Sequence, residues 1–139
     1  MSSNVRVIGV DMVKFTKPGA HEPYEVMAAR AIKGALRDAG IDFTDIQHAF
    51  ASYVYGDSTC GQAALYRVGM SGIPVINVNN NCSSGSTALY LARQAVESGA
   101  VDCALAFGFE EMRPGALGNV WTDRTSPLDR FLDRLDQLV

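Results

Sequence analysis

The chain has 139 residues, of which 47% are hydrophobic and 19% charged, and its formal net charge is −3. That composition excludes a disordered polypeptide, and the length suits one domain with a substantial core. The mildly acidic balance gives no support for nucleic acid or an anionic membrane surface as a partner.

In chain order, VRVIGVDMVKF, from Val5 to Phe15, predicts a strand, and TKPGAHEP a loop. From Tyr24 to Ala39 the apolar residues Val26, Ala29, Ile32 and Leu36 recur at helical spacing, with Gly40 as the stop. HAFASYVY, from His48 to Tyr55, predicts a second strand; GDSTCGQ is a turn, and AALYRVGM a short helix closed by SGIP. PVINV is the third strand, a helix follows from about Ser83 to Glu97, and CALAFGFE, from Cys103 to Glu110, is a fourth strand. Strands alternating with helices predict an α/β domain with a largely parallel sheet.

The helix after Cys82 places Ala88, Leu89, Leu91, Ala92, Ala95 and Val96 around most of its circumference, so a buried central helix is expected. Beyond Glu111 the sequence is rich in turn formers. LDRFLDRLDQLV then sets Leu128, Phe131, Leu132, Leu135 and Leu138 on one helical stripe. Such a helix either covers apolar surface of its own domain or binds a partner.

The three cysteines, Cys60, Cys82 and Cys103, lack paired spacing, and neither His21 nor His48 lies near them. No disulfide scaffold and no metal site is therefore expected, and the compartment reads as reducing. No apolar run is long enough to span a bilayer, no signal-peptide pattern opens the chain, and DQLV is not a peroxisomal address. The expectation is a cytoplasmic protein, with a peroxisome or mitochondrion as the eukaryotic alternatives.

Chemistry concentrates in VNNNCSSGSTALYLARQAVESG, where a strand runs through three asparagines and a cysteine into a helix. A thiol attacks as thiolate, and its ordinary pKa is ~8.5. Unpaired amides and the positive dipole end at a helix start favour an anion there. Ser83, Ser84, Gly85 and Ser86 are small enough for a substrate to approach backbone amides that could hold an oxyanion. Cysteine is also a common inert core residue, so these local features alone leave Cys82 open between nucleophile and packing.

GIPVINVNNNCSSGSTALYLARQAVESG resembles the nucleophile segment of the thiolase superfamily, and specifically of the sterol carrier protein X-type thiolases, called lipid-transfer proteins in bacteria. VIGVDMVKFTKPG, YGDSTCGQAALYRVGMSGIP, FGFEEMRPGALG and DRTSPLDR carry the same resemblance, which covers about Val5 to Arg130. It implies a thiolase-like βαβαβαββ half over residues 1–112, with a mixed sheet, and the start of a loop region over 113–139. It also implies that Cys82 forms an acyl-thioester with a 3-oxoacyl-CoA, in thiolytic cleavage or Claisen condensation. Coenzyme A is then a substrate, and no separate cofactor is expected. Met112 matches a methionine near the family's acyl pocket, or is a core methionine, and Ser83 and Gly85 would border the substrate. Asn79, Asn80 and Asn81 are interface candidates in a homodimer or larger homo-oligomer, or residues that satisfy their own turn.

The family's second cysteine and catalytic histidine belong to its second half, and their motifs do not occur here. Cys60 and Cys103 read as packing residues, and Glu110 and Glu111 as solvated or capping carboxylates. Little turnover is expected from this chain alone. Two other readings stand beside the thiolase: a thiolase-like retro-aldolase subunit, and a non-catalytic dimerising or CoA-ester-binding fragment.

Overall fold

The computed structural model describes residues 5–113 and 121–138. Helix α1 (Tyr24–Ala39) ends where its sequence demands it. Gly40 adopts φ 69°, a left-handed conformation that costs a residue bearing a Cβ roughly 1–2 kcal/mol. The amides of Gly40 and Ile41 close the last turn on the carbonyls of Arg37 and Leu36. A short 3-10 turn, Phe43–Asp45, leads into β1 (His48–Ser52). There follow α2 (Cys60–Tyr66), β2 (Val75–Val78), α3 (Ser84–Glu97), β3 (Ala104–Gly108) and α4 (Asp129–Asp136).

The three strands form one parallel sheet in the order β2-β1-β3. The α2 crossover places β2 on one side of β1, and the α3 crossover carries the chain past β1 to its other side. The winding direction therefore reverses at β1. Alternation along the strands splits the core between two faces. Ala49, Ala51, Leu105 and Phe107 join Ile32 and Leu36 of α1 and Ala64 and Leu65 of α2. Phe50 and Val78 meet Ala88 and Ala92 of α3 on the other face. The result is an α/β architecture with helices on both faces of the sheet, as parallel pairing requires.

Four expectations are corrected. Val5–Phe15 forms no strand. Its main chain turns to α1 instead: the Val10 amide donates to Asp38 Oδ2 at 2.8 Å. Gly9 lies against Ala35 and Ala39, and the Asp11 carboxylate fills the space that a side chain on Gly34 would occupy. Alternating β-branched residues permit a strand, but only a ladder partner makes one. Secondly, α2 begins at Cys60, inside the expected turn, because Thr59 takes the left-handed conformation (φ 64°) that redirects the chain. Thirdly, all three strands are parallel, so the described residues contain no antiparallel member of the expected mixed sheet.

Fourthly, α3 is not enclosed on all sides. Ser84, Ala88 and Ala92 are buried, yet Leu89 and Tyr90 are each 54% exposed, since only one face meets the sheet. The apolar stripe of α4, from Leu128 to Leu138, also faces solvent. The expected domain boundary after Met112 borders residues 114–120, which lie outside the described residues.

Candidate active site

The carboxyl ends of the three strands gather the groups of interest, at the edge where an open parallel sheet with a winding reversal commonly binds ligands. Cys82 lies there, between β2 and α3, with its side chain exposed. Its thiol donates a long hydrogen bond to Asn81 Oδ1, 3.9 Å from Sγ. Asn81 carries φ 48°, a conformation asparagine tolerates better than most side chains. That left-handed step turns the chain from strand to helix immediately before the thiol.

A dense network holds the turn. The Asn81 amide donates to Asn79 Oδ1 at 3.1 Å. The amides of Ser83 and Ser84 donate to the carbonyls of Asn80 and Asn81, both at 3.0 Å. Ser84 Oγ accepts from the Asn80 amide at 2.8 Å and donates to the Asn81 carbonyl at 2.7 Å. Thr87 Oγ1 accepts from Asn80 Nδ2 at 3.0 Å and donates to the Ser83 carbonyl at 2.9 Å. Asn79 and Asn80 thus make hydrogen bonds within their own turn. The amides of Gly85 and Ser86 have no hydrogen-bond acceptor among the described residues. The first turn of α3 therefore keeps donors available, as its small residues suggested.

Other strand ends brace this edge. Ser52 Oγ, buried, donates to the Phe107 carbonyl at 3.0 Å, and Gly108 lies so close to Ser52 that a Cβ there would collide with it. The two oxygens of Glu110 accept the amides of Val54 and Tyr55 at 2.9 and 3.0 Å, tying the chain after β3 to the loop after β1. Glu111 accepts the Tyr24 amide and so caps α1. Both carboxylates act on backbone. The capping role was legible in sequence; the atoms they cap were not, because these lie 55 to 87 residues away.

Tyr53 stacks on Phe109 with centroids 4.9 Å apart, and Tyr24 tilts against the same ring at 4.7 Å. A hydrogen bond with Cys60, reinforced by burial, pushes the Tyr24 phenol up to about 12. Burial is the leading cause that raises the Tyr53 phenol as well. Cys60 is buried and Cys103 half-buried, consistent with packing roles; burial, then the charge of Asp45, pushes the Cys103 thiol up. His21 Nδ1 lies 3.1 Å from the Glu22 carbonyl and His48 packs on Phe50, both away from the Cys82 turn.

Cys82, Ser83 and Gly85 share the turn, whereas Met112 lies elsewhere. It lines a mostly apolar groove of about 1290 Å³ between the N-terminal segment, α1, α3 and the free edge of β3. Ser86, one residue past Gly85, lies on the α3 wall of that groove. Sequence reasoning passed over Thr87 and took Ser84 only for its small size, not for its hydroxyl. Their signal was present as two hydroxyls three apart behind the asparagine run, the spacing that puts both on one helical face. Among the described residues no group of three His, Cys, Asp or Glu side chains is placed to hold a metal ion, and no helix is long and apolar enough to cross a membrane.

A family model for the thiolase N-terminal domain matches residues 5–120. Sterol carrier protein 2 of Gallus gallus is 51% identical over 135 residues, which is 96% of this chain and 25% of that protein. The Homo sapiens sterol carrier protein 2 is 52% identical over 134 residues, 94% of this chain and 24% of that protein. Benzoylsuccinyl-CoA thiolase subunit BbsB of Thauera aromatica is 34% identical over 113 residues, covering 79% of this chain and 29% of that subunit. The chain thus spans about a quarter of the sterol carrier proteins it matches. Among solved structures, the priming β-ketosynthase of the R1128 polyketide pathway aligns with a TM-score of 0.61 at 26% identity, over 66% of this chain and 28% of that one. The 3-oxoacyl-[acyl-carrier-protein] synthase III of Aquifex aeolicus VF5 shares the fold, with a TM-score of 0.56 at 20% identity over 68% of this chain and 32% of that one.

Proposed function

The chain belongs to the thiolase family through its N-terminal domain, and from that premise we propose that it supplies the nucleophile of a thiolase-type acyl transfer, with Cys82 as the attacking group. The observation that carries this reading is the exposed Cys82 thiol, held on a hydrogen-bonded turn at the carboxyl edge of the sheet. The substrate class is a 3-oxoacyl-CoA. The Cys82 sulfur gives up its proton and bonds to the 3-oxo carbon, the bond between carbons 2 and 3 breaks, and the acyl group stays on sulfur. The departing two-carbon enolate takes one proton and leaves as acetyl-CoA. Free coenzyme A then accepts the acyl group, and the reverse sequence is condensation. Splitting one hard step into two easier ones is the benefit of covalent catalysis.

Gly85 and Ser86 supply amides that face the reacting oxygen, while Ser83 and Gly85 leave the approach uncrowded. Met112, away from the turn but on the groove that Ser86 also lines, is assigned to the acyl side by the same proposal. A homodimer or larger homo-oligomer, with the exposed Asn79–Asn81 segment at its interface, belongs to the same proposal. The deciding experiment incubates the chain with acetoacetyl-CoA and maps the product by mass. Acetyl added to the Cys82 peptide, and absent from Cys82→Ala, is the expected result; an unmodified Cys82 would overturn acyl transfer. Retro-aldol cleavage predicts no such adduct.

A second reading, carriage of an apolar ligand, is favoured by the groove beside β3. It predicts that a fluorescent fatty acid binds wild type and Cys82→Ala alike.

A further inference from the structure

The turn that carries Cys82 is closed by one buried hydroxyl, and we propose that Ser84 is the positioning residue for the Cys82 thiol. The inference rests on the acyl-transfer reading and adds to it the group that sets the nucleophile's geometry. Ser84 is 5% exposed, and its hydroxyl is spent on main-chain atoms of its own turn. That hydroxyl works in both directions. It accepts the Asn80 amide at 2.8 Å and donates to the Asn81 carbonyl at 2.7 Å. These two bonds fix the main chain on either side of the left-handed step at Asn81, which directs the next residue, Cys82.

A serine hydroxyl has one proton to donate, and here that proton goes to a carbonyl that also receives the Ser84 amide at 3.0 Å. The Asn81 carbonyl is therefore held twice by the same residue, and cannot rotate without breaking both bonds. Thr87, three residues on, holds the Asn80 side chain and the Ser83 carbonyl. Thr87 steadies the frame, and Ser84 sets the step. The consequence is that the Cys82 backbone is defined by neighbours on both sides, while among the described residues its thiol makes only a long hydrogen bond to Asn81 Oδ1.

The test is single-turnover acylation of Cys82 by acetoacetyl-CoA, set beside its alkylation by iodoacetamide, in wild type, Ser84→Ala and Thr87→Val. Misplacing a reacting group by about 1 Å costs on the order of 100-fold, so Ser84→Ala is expected to acylate roughly 10- to 100-fold more slowly at saturation. The half-saturating thioester concentration and the iodoacetamide rate should each stay within about threefold of wild type, since neither depends on the attack geometry. Thr87→Val is expected to lose less, roughly 3- to 10-fold. A Ser84→Ala chain that acylates at the wild-type rate overturns the proposal. So does one in which both rates change together and Cys60 becomes reactive, because that marks general unfolding. If Ser84→Ala does not fold, Ser84→Cys, which keeps the size but weakens both hydrogen bonds, decides by the same two rates. A wild-type Cys82 that is alkylated but never acylated overturns the acyl-transfer reading itself, and this inference with it.

Discussion

The two faces of the sheet are built differently. On one, α1 and α2 pack together over Ala49, Ala51, Leu105 and Phe107, and Ile32 and Leu65 are 1% exposed. On the other, α3 is the one helix among the described residues; it buries Ala88 and Ala92 against Phe50 and Val78 but leaves Leu89, Tyr90 and Ile76 of β2 open. Both faces use apolar residues, so hydrophobicity does not distinguish them. What differs is helix number. Two helices side by side close the flanks of each other, whereas a single helix buries one stripe and exposes the rest. The face with the weaker enclosure is the one that presents Cys82, and its order there comes from hydrogen bonds of Ser84 and Thr87 rather than from packing.

The largest expected effect tests the two-helix face. Ile32→Ala should cost about 2–5 kcal/mol in a urea-unfolding measurement, because a fully buried aliphatic side chain leaves a cavity behind. A cost under about 1 kcal/mol would show that this face repacks or is loosely filled. Next, Glu110→Ala should cost about 1–3 kcal/mol, since it strips the partners from the amides of Val54 and Tyr55. Glu110→Gln, which keeps one acceptor oxygen, should recover part of that loss.

A pH series sharpens the same comparison. The Tyr24 phenol is raised from 10.0 to about 12 by its hydrogen bond with Cys60 and by burial. The folded state therefore holds the phenolic proton more tightly than the unfolded state. Its contribution is complete below pH 10 and is lost as pH rises from 10 towards about 12. Urea midpoints should fall more steeply across that window for wild type than for Tyr24→Phe, with Tyr53 sustaining a remnant slope. Equal slopes would remove Tyr24 from the account. The smallest effect belongs to the other face: Leu89→Ala should change stability by no more than about 0.5 kcal/mol, as exposed positions do. A loss of several kcal/mol would mean that the outer side of α3 is covered in solution.

Much of the architecture was legible in the residues, and the reasons are local. Tyr24–Ala39 declared α1 to the residue, because its apolar spacing and the left-handed need of Gly40 act over a single turn. His48–Ser52, Val75–Val78 and Ala104–Gly108 sit inside the strands read from sequence, and Cys82 falls at the strand-to-helix corner where its flanking small residues placed it. The start of α2 was misread because Thr59 gives no compositional sign of its positive φ. VRVIGV reads as a strand by alternation, but alternation cannot name the edge that would pair with it.

By itself, then, the sequence determined α1, the cores of the three strands, the α/β class, and the family to which the nucleophile segment belongs. All of these follow from side-chain period, turn chemistry and motif, which are properties of neighbours along the chain. Tertiary structure alone decided that the N-terminal run docks on α1, that α3 is covered on one side, and that Glu110 and Glu111 hold amides of distant elements. Those outcomes depend on which surfaces meet across 28 to 87 residues, and a backbone amide or an apolar stripe carries no label for its eventual partner.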